Sequence, residues 1–73
     1  MNSYKIIYYN SGGYKTSYLI TTDNVIDKDE NNELQMLDCG KIVGGAEEIE
    51  SMLLEQLGYI ESVMVVDAQS VTD

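Results

Sequence analysis

The sequence predicts a small α+β domain in which one helix packs on a face of an antiparallel or mixed sheet. Three features of the 73-residue chain indicate this fold. Aromatic and β-branched residues are concentrated near the N-terminus, an apolar period of 3.6 residues follows a glycine pair, and alternating apolar residues follow that period. Hydrophobic residues make up 44% of the chain and proline is absent, so we expect residues 1–73 to form a single folded domain.

The first predicted element is an antiparallel hairpin with strands Tyr4–Tyr9 and Tyr14–Ile20. A three-residue loop at Ser11, Gly12 and Gly13 would set its register. That register pairs Tyr8 with Thr16, Ile6 with Tyr18 and Tyr4 with Ile20, and places all six on the buried face. The opposite face carries Lys5, Ile7, Tyr9, Lys15, Ser17 and Leu19.

A polar stretch and a weak strand follow the hairpin. Residues 21–33 are predicted to be a loop in which Val25 and Ile26 reach the core. The apolar residues of 34–38 and 41–43 predict one short strand that is interrupted around Cys39 and Gly40. The predicted order is therefore strand, strand, short strand, helix, strand.

The helix is predicted to follow Gly44 and Gly45 and to end at Gly58, where a left-handed C-cap is expected. Its inner stripe repeats at the helical spacing and consists of Ile49, Met52, Leu53, Gln56 and Leu57. At 100° per residue, the outward positions are Glu47, Glu48, Ser51, Leu54 and Glu55, with Glu50 on the flank.

The last predicted element is a strand over residues 59–67. It has apolar residues on both faces, which is typical of an inner strand. Residues 68–73 are predicted to form a loose tail.

The charge is strongly negative and unevenly distributed. Thirteen acidic residues stand against four lysines, which gives a net charge of −9. Residues 1–22 hold two lysines and no acid, whereas residues 23–73 hold all thirteen acids and two lysines, a net −11. Nucleic acids and anionic membranes repel such a chain, so we expect a basic protein partner, with no direct contact to nucleic acid or membrane.

The composition also argues against several classes of function. Histidine, arginine and tryptophan are absent, so no nucleophile has an attendant histidine base, and we expect neither an enzyme nor a bound cofactor. Neither glycine pair is followed by the Lys-Ser or Lys-Thr of a phosphate-binding loop. The single cysteine, Cys39, cannot form an internal disulfide and is expected to be packed. The N-terminal ten residues lack a signal-peptide layout, and a reducing, cytoplasmic setting is expected.

The segment from Asp27 to Asp38 resembles the twelve-residue calcium loop of EF-hands. Asp27, Asp29 and Asn31 fall at loop positions 1, 3 and 5, and Asp38 stands at position 12. Asn32 replaces the turn glycine, an aspartate replaces the final glutamate, and a hairpin precedes the segment where an EF-hand has a helix. A weak calcium site is one interpretation, and a loop rich in turn residues is the other.

Two surfaces are candidates for partner binding. The first is a negative patch that would take the place of a row of phosphates in a cationic channel; its members are Glu47, Glu48, Glu50, Glu55, Asp27, Asp29, Glu30 and Glu33. The alternative interpretation of these acids is a solvated surface that only maintains solubility. The second candidate is the outward face of the hairpin, where Tyr9 is an interface residue and where Ile7, Tyr9 and Leu19 would make an adaptor or homodimer contact.

In layout the chain resembles the anti-CRISPR proteins, small inhibitors that phages and mobile elements use against bacterial defence systems. The shared features are the short chain, the absence of tryptophan, proline and cysteine pairs, the hairpin Tyr4–Ile20 and the acid-rich helix Ala46–Leu57. The resemblance concerns size, charge and layout, and it assigns no role to any single residue. It implies a stoichiometric inhibitor that occupies the nucleic-acid site of a CRISPR effector or another defence nuclease in the cytoplasm of a bacterial host.

Overall fold

The computed structural model describes residues 1–58 and 62–71. These residues form six strands and one helix, in chain order β1 (Asn2–Tyr9), β2 (Lys15–Thr22), β3 (Val25–Lys28), β4 (Leu34–Asp38), β5 (Lys41–Gly45), α1 (Ala46–Leu57) and β6 (Met64–Ser70). The strands form two antiparallel sheets, ordered β2-β1-β6 and β3-β4-β5. The predicted α+β class is confirmed. Within the described residues, no helix has the length and apolar character needed to cross a membrane.

The N-terminal hairpin has the predicted register. Tyr4 pairs with Ile20, Ile6 with Tyr18 and Tyr8 with Thr16. The predicted burial of Thr16 and Tyr18 is wrong, since both are exposed. They lie on an edge strand, and α1 reaches that strand only near its end, where Gln56 Nε2 donates a hydrogen bond to the Thr21 carbonyl (3.2 Å).

The second sheet corrects two predictions. The predicted loop 21–33 contains β3, in which Ile26 is buried and Val25 is exposed. The predicted single short strand is two strands, β4 and β5, joined by a two-residue turn with positive φ at Cys39 (52°) and Gly40 (82°). Positive φ at both central residues is the backbone of a type I′ hairpin turn. Cys39 is exposed at this turn, so the prediction that it is packed is wrong.

The helix has the predicted bounds. Gly58 adopts a left-handed conformation (φ 76°) and donates its N–H to the Leu54 carbonyl, which closes the C-terminus. Ile49 and Leu53 are fully buried. Gln56 was predicted to belong to the inner stripe but is exposed, because its amide bonds the edge of β2.

The last strand begins and ends later than predicted. Residues 59–61 of the predicted strand lie outside the described residues, and residues 68–70 of the predicted tail belong to β6. The prediction of an inner strand is wrong, because β6 pairs only with β1 at the edge of its sheet. Its apolar residues lie on both faces: Val65 packs against the core, whereas Met64 and Val66 on the other face are exposed.

One hydrophobic core lies between the two sheets and the helix. Its buried members are Tyr4, Ile6, Tyr8, Ile20, Ile26, Met36, Ile49 and Leu53. Two polar contacts join the sheets across it. The Ile26 N–H donates a hydrogen bond to the Tyr4 hydroxyl (3.0 Å), and Lys28 forms an ion pair with Asp67 (2.6 Å).

Candidate functional site: the acidic end

The turn between β3 and β4 lies beside the N-terminus of α1. The two regions are connected through the second sheet, where Gln35 pairs with Gly45 immediately before the helix. They line one open cleft of about 460 Å³, to which the turn contributes Glu33 and the helix start contributes Ala46. The acids predicted in the loop and those predicted at the start of the helix therefore lie at the same end of the molecule.

The turn is held in one conformation by the carboxylate of Asp29. Its Oδ1 accepts hydrogen bonds from the N–H groups of Asn31 (2.8 Å) and Glu33 (3.0 Å). Two backbone bonds close the same turn, from the Asp29 N–H to the Glu33 carbonyl and from the Asn32 N–H to the Asp29 carbonyl, both 2.9 Å. Asn32 supplies the left-handed residue (φ 63°) that such turns require. Asp29 thus positions its neighbours, and the Glu30 and Glu33 side chains stay exposed.

Three other predicted patch residues also have local partners. Asp27 accepts a hydrogen bond from the Gln35 amide (2.8 Å), and Glu48 accepts one from the Gly45 N–H (3.3 Å) in the manner of a helix N-cap. Glu50 accepts a bond from the Val65 N–H (2.9 Å) and so joins the helix to β6. Each of these carboxylates is oriented by the fold.

The four other acids of the predicted negative patch have free carboxylates. The side chains of Glu30, Glu33, Glu47 and Glu55 are exposed and make no hydrogen bond or ion pair with another described residue. We call Glu30, Glu33 and Glu47 the acidic end. Glu55 lies two turns further along α1, about 12 Å from Glu47 along the helix axis and about 80° around it.

Lys28 ends β3 next to the turn and pairs with Leu34, the neighbour of Glu33, whereas the other three lysines lie elsewhere on the fold. Lys28 is engaged by Asp67, and its short hydrogen bond lowers the pKa of that carboxyl below the ordinary value. Lys5 and Lys15 lie on the outer face of the N-terminal hairpin, where they line the same shallow surface. Lys41 pairs with Asp38 in the β4–β5 register. Within the described residues, the carboxylates of the acidic end are therefore not neutralised by an ion pair.

The cleft is lined in part by apolar residues of the last strand, which was predicted to be an inner strand. Val66 is 46% exposed and lines the cleft with Leu34 and Val65. The available signal was the apolar character of both faces of the last strand, which was interpreted as a sign of an inner strand. The same pattern also fits an edge strand with one side chain in a surface cleft.

The calcium-loop resemblance does not extend to the backbone. The segment consists of β3, the β3–β4 turn and β4, rather than one loop that wraps around an ion. Asp27 pairs with Gln35 across the β3–β4 ladder. Asp38 lies three residues beyond Gln35 on β4, which places it about 10 Å from Gln35 along the strand. Over residues 1–58 and 62–71, no three Asp, Glu or Cys side chains come together as a possible metal-binding group.

The hairpin candidates are not all close to one another. Ile7 and Leu19 are diagonal neighbours on the outer face of the first sheet, while Tyr9 pairs with Lys15 at the other end of the hairpin. Tyr9 is 39% exposed and lines an open groove together with Glu50 and Met64. The structure thus separates Tyr9 from Leu19 and brings Tyr9 near one acid of the predicted patch.

Comparison of the chain with protein-family models, with curated proteins and with solved structures finds no match. A function must therefore be inferred from the chemistry of the chain itself. The acidic end combines acids of the turn and of the helix start, two regions that line one cleft.

Proposed function

We propose that the protein is a stoichiometric inhibitor that binds a basic, nucleic-acid-handling protein through the acidic end. The partner class is a CRISPR effector or another defence nuclease, the origin is a phage or mobile element, and the site of action is the bacterial cytoplasm. The observation that supports this proposal is that the turn with Glu30 and Glu33 and the helix start with Glu47 line one cleft, and that these three carboxylates have no ion pair with another described residue.

Carboxylates at this junction suit the side chains that line nucleic-acid channels. Arginine and lysine donate charge-assisted hydrogen bonds to carboxylates as they do to phosphates. The turn around Asp29 and the start of α1 fix the backbone that carries these carboxylates. A partner therefore meets a preorganised surface, and less conformational entropy is lost on binding.

The cleft adds an apolar component to this surface. Leu34, Val65 and Val66 line the same cleft as Glu33. Lysine and arginine have aliphatic stems that pack on apolar surface while their charged ends stay near water. We infer that one cationic side chain of the partner lies along the cleft, with its charge toward Glu33.

The helix dipole opposes cation binding at this end, but it is too weak to prevent it. A helix N-terminus carries roughly half of one positive charge. The first turn of the helix carries Glu47 and Glu48, and Glu48 already accepts a hydrogen bond from the Gly45 N–H. The formal charge of these two carboxylates is larger than the half charge of the helix end.

The test compares two variants of equal net charge. Glu33→Gln with Glu47→Gln removes two charges from the acidic end. The matched control, Asp23→Asn with Asp38→Asn, removes one charge just before β3 and one at the end of β4, both at the far end of this strand pair from the β3–β4 turn. Each variant is added at equimolar amounts to a panel of purified, guide-loaded CRISPR nucleases, and DNA cleavage is measured.

We expect wild-type protein and the control to inhibit at least one nuclease, and excess target DNA to relieve the inhibition by competition. The Glu33/Glu47 variant is expected to inhibit at least about tenfold less, since two charge-assisted contacts are lost. Equal inhibition by both variants would show that the acidic end is not the binding surface. Undiminished cleavage by every nuclease of the panel would contradict the proposed partner class.

A further inference from the structure

The outer edge of β2 carries a row of open backbone groups. β2 is eight residues long and pairs only with β1, so its other edge has no strand against it among the described residues. The β1–β2 pairing runs without a bulge, and Lys15 at the start is the only charged residue of the strand. Charges, prolines and bulges are the usual protection of an edge strand, and the middle of β2 has none of them.

Two hydrogen bonds establish which residues face this edge. The Ser3 carbonyl accepts from the Val71 N–H, so the backbone groups of Ser3 point toward β6. Thr21, the residue opposite Ser3, uses its carbonyl to accept from Gln56, also away from β1. Because bonding alternates along an antiparallel pair, Lys15, Ser17 and Leu19 direct their N–H and C=O groups to the open edge.

We propose that a second copy of this chain pairs with that edge. The two β2 strands run antiparallel about a two-fold axis at Ser17, which faces Ser17 of the second copy. Lys15 then lies opposite Leu19 of the second copy, and about six backbone hydrogen bonds form. The β2-β1-β6 sheets of the two copies then become one sheet of six strands.

The charge distribution makes this edge less repulsive to a second copy than the acid-bearing part of the chain. Each copy carries −9, so contact through most of the surface brings carboxylates together. Residues 1–22 contain no acid, and the edge of β2 lies within them. In the proposed register the two Lys15 side chains are about 13 Å apart along the strands, beyond the screening length of about 8 Å at physiological salt.

The side chains at this edge are also suited to burial. Tyr18 is 37% exposed because the helix does not cover this part of the sheet. In the proposed register Tyr18 lies opposite Thr16 of the second copy, and the pair covers the open part of its ring. This contact uses the strand edge, so it goes beyond the inhibitor proposal and does not depend on the acidic end.

The first test is a disulfide across the two-fold axis. Ser17→Cys is made in a Cys39→Ser background, because Cys39 is itself exposed. The paired Cα atoms would be about 5.5 Å apart, within the range that a disulfide spans. The matched control is Ser51→Cys in the same background, on the exposed face of α1.

On mild oxidation we expect the Ser17→Cys protein to form covalent dimers at least about tenfold faster than the control, since its thiols are preoriented. Equal rates would overturn the proposal. Sedimentation equilibrium of the unmodified protein gives a second measurement. Dimerisation should strengthen with added salt, which screens the repulsion between two copies of charge −9.

Leu19→Lys places a lysine opposite Lys15 of the second copy and should weaken dimerisation about tenfold while the circular dichroism spectrum stays unchanged. A protein that is monomeric at every concentration and salt would overturn the proposal. So would a dimer that Leu19→Lys leaves intact, or an edge that binds an extended peptide of another protein without self-association.

Discussion

Removal of the Tyr4 hydroxyl should destabilise the whole domain, because this group joins the two sheets. The hydroxyl accepts a hydrogen bond from the Ile26 N–H at 3.0 Å, and both residues are buried. Tyr4→Phe keeps the ring and its packing but leaves the Ile26 N–H without an acceptor. The variant therefore isolates one bridging hydrogen bond from the hydrophobic contribution of the side chain.

The magnitude follows from burial. A buried donor that loses its only acceptor costs about 1–3 kcal/mol. In a domain of 60–100 residues each kcal/mol shifts the Tm by about 4–8 °C, so the Tm should fall by about 5–20 °C. A chain of this size is stable by only a few kcal/mol, so the loss is a large share of the total.

The assay is thermal unfolding followed by circular dichroism, with amide hydrogen exchange at Ile26 as a local probe. Tyr14→Phe is the control, since Tyr14 is 75% exposed and its hydroxyl makes no hydrogen bond with another described residue. We expect Tyr14→Phe to leave the Tm unchanged and Tyr4→Phe to lower it. An unchanged Tm for both variants would refute the bridging role of the hydroxyl.

Three further predictions concern the helix start, an ion pair and the β3–β4 turn. Gly44→Ala would place a Cβ 2.5 Å from Glu48 Cγ, so we expect a loss of about 1–3 kcal/mol in urea unfolding, and an unchanged midpoint would contradict this contact. Lys28→Met should raise the pKa of the Asp67 carboxyl toward its ordinary value in a carbon-detected NMR titration. Because the wild-type pKa is lowered, the ion pair stabilises the fold above the unfolded-state pKa, and this stability is lost as the pH falls through the folded-state pKa. The variant should lose this dependence of stability on acid pH. Asp29→Ala removes the acceptor of two backbone N–H groups and should cost about 1 kcal/mol, measured as a lower Tm, whereas wild-type stability would mean that the turn holds without it.

The N-terminal hairpin and the helix were predictable because their ends carry strong local signals. Gly12 and Gly13 set the loop length, and the loop length sets the register of every pair in the hairpin. Gly58 marks the C-terminus of α1 because a left-handed residue is needed there. Their burial was harder to predict, since the exposure of Tyr18 depends on how far the helix extends across β2.

The second sheet was missed because its signals are short or unusual. β3 has four residues and only Ile26 is buried, so no alternation develops. The turn between β4 and β5 requires positive φ at Cys39, a conformation that is uncommon outside glycine, asparagine and aspartate. Asparagines and aspartates around β3 favour turns, so the sequence predicts a loop where the strand lies.

The candidate site was only partly predictable for the same reason. The acids of the loop and of the helix were identified from sequence, but their proximity depends on the β4–β5 pairing that sets Gly45 beside Gln35. Periodicity likewise does not reveal which carboxylates are bonded locally. Asp29 and Glu50 serve the fold, whereas Glu33 and Glu47 remain free, and only the three-dimensional contacts distinguish them.

The most direct test of the proposed negative surface is an NMR titration of the intact protein with a short oligolysine peptide. It maps where a flexible cation is attracted without the need to identify the biological partner. If the carboxylates form one coherent negative surface, the largest amide shifts should cluster at Glu30, Glu33 and Glu47 and should shrink in the Glu33/Glu47 variant more than in the Asp23/Asp38 control. Shifts spread evenly over all exposed acids, and reduced equally by both variants, would contradict the existence of that surface.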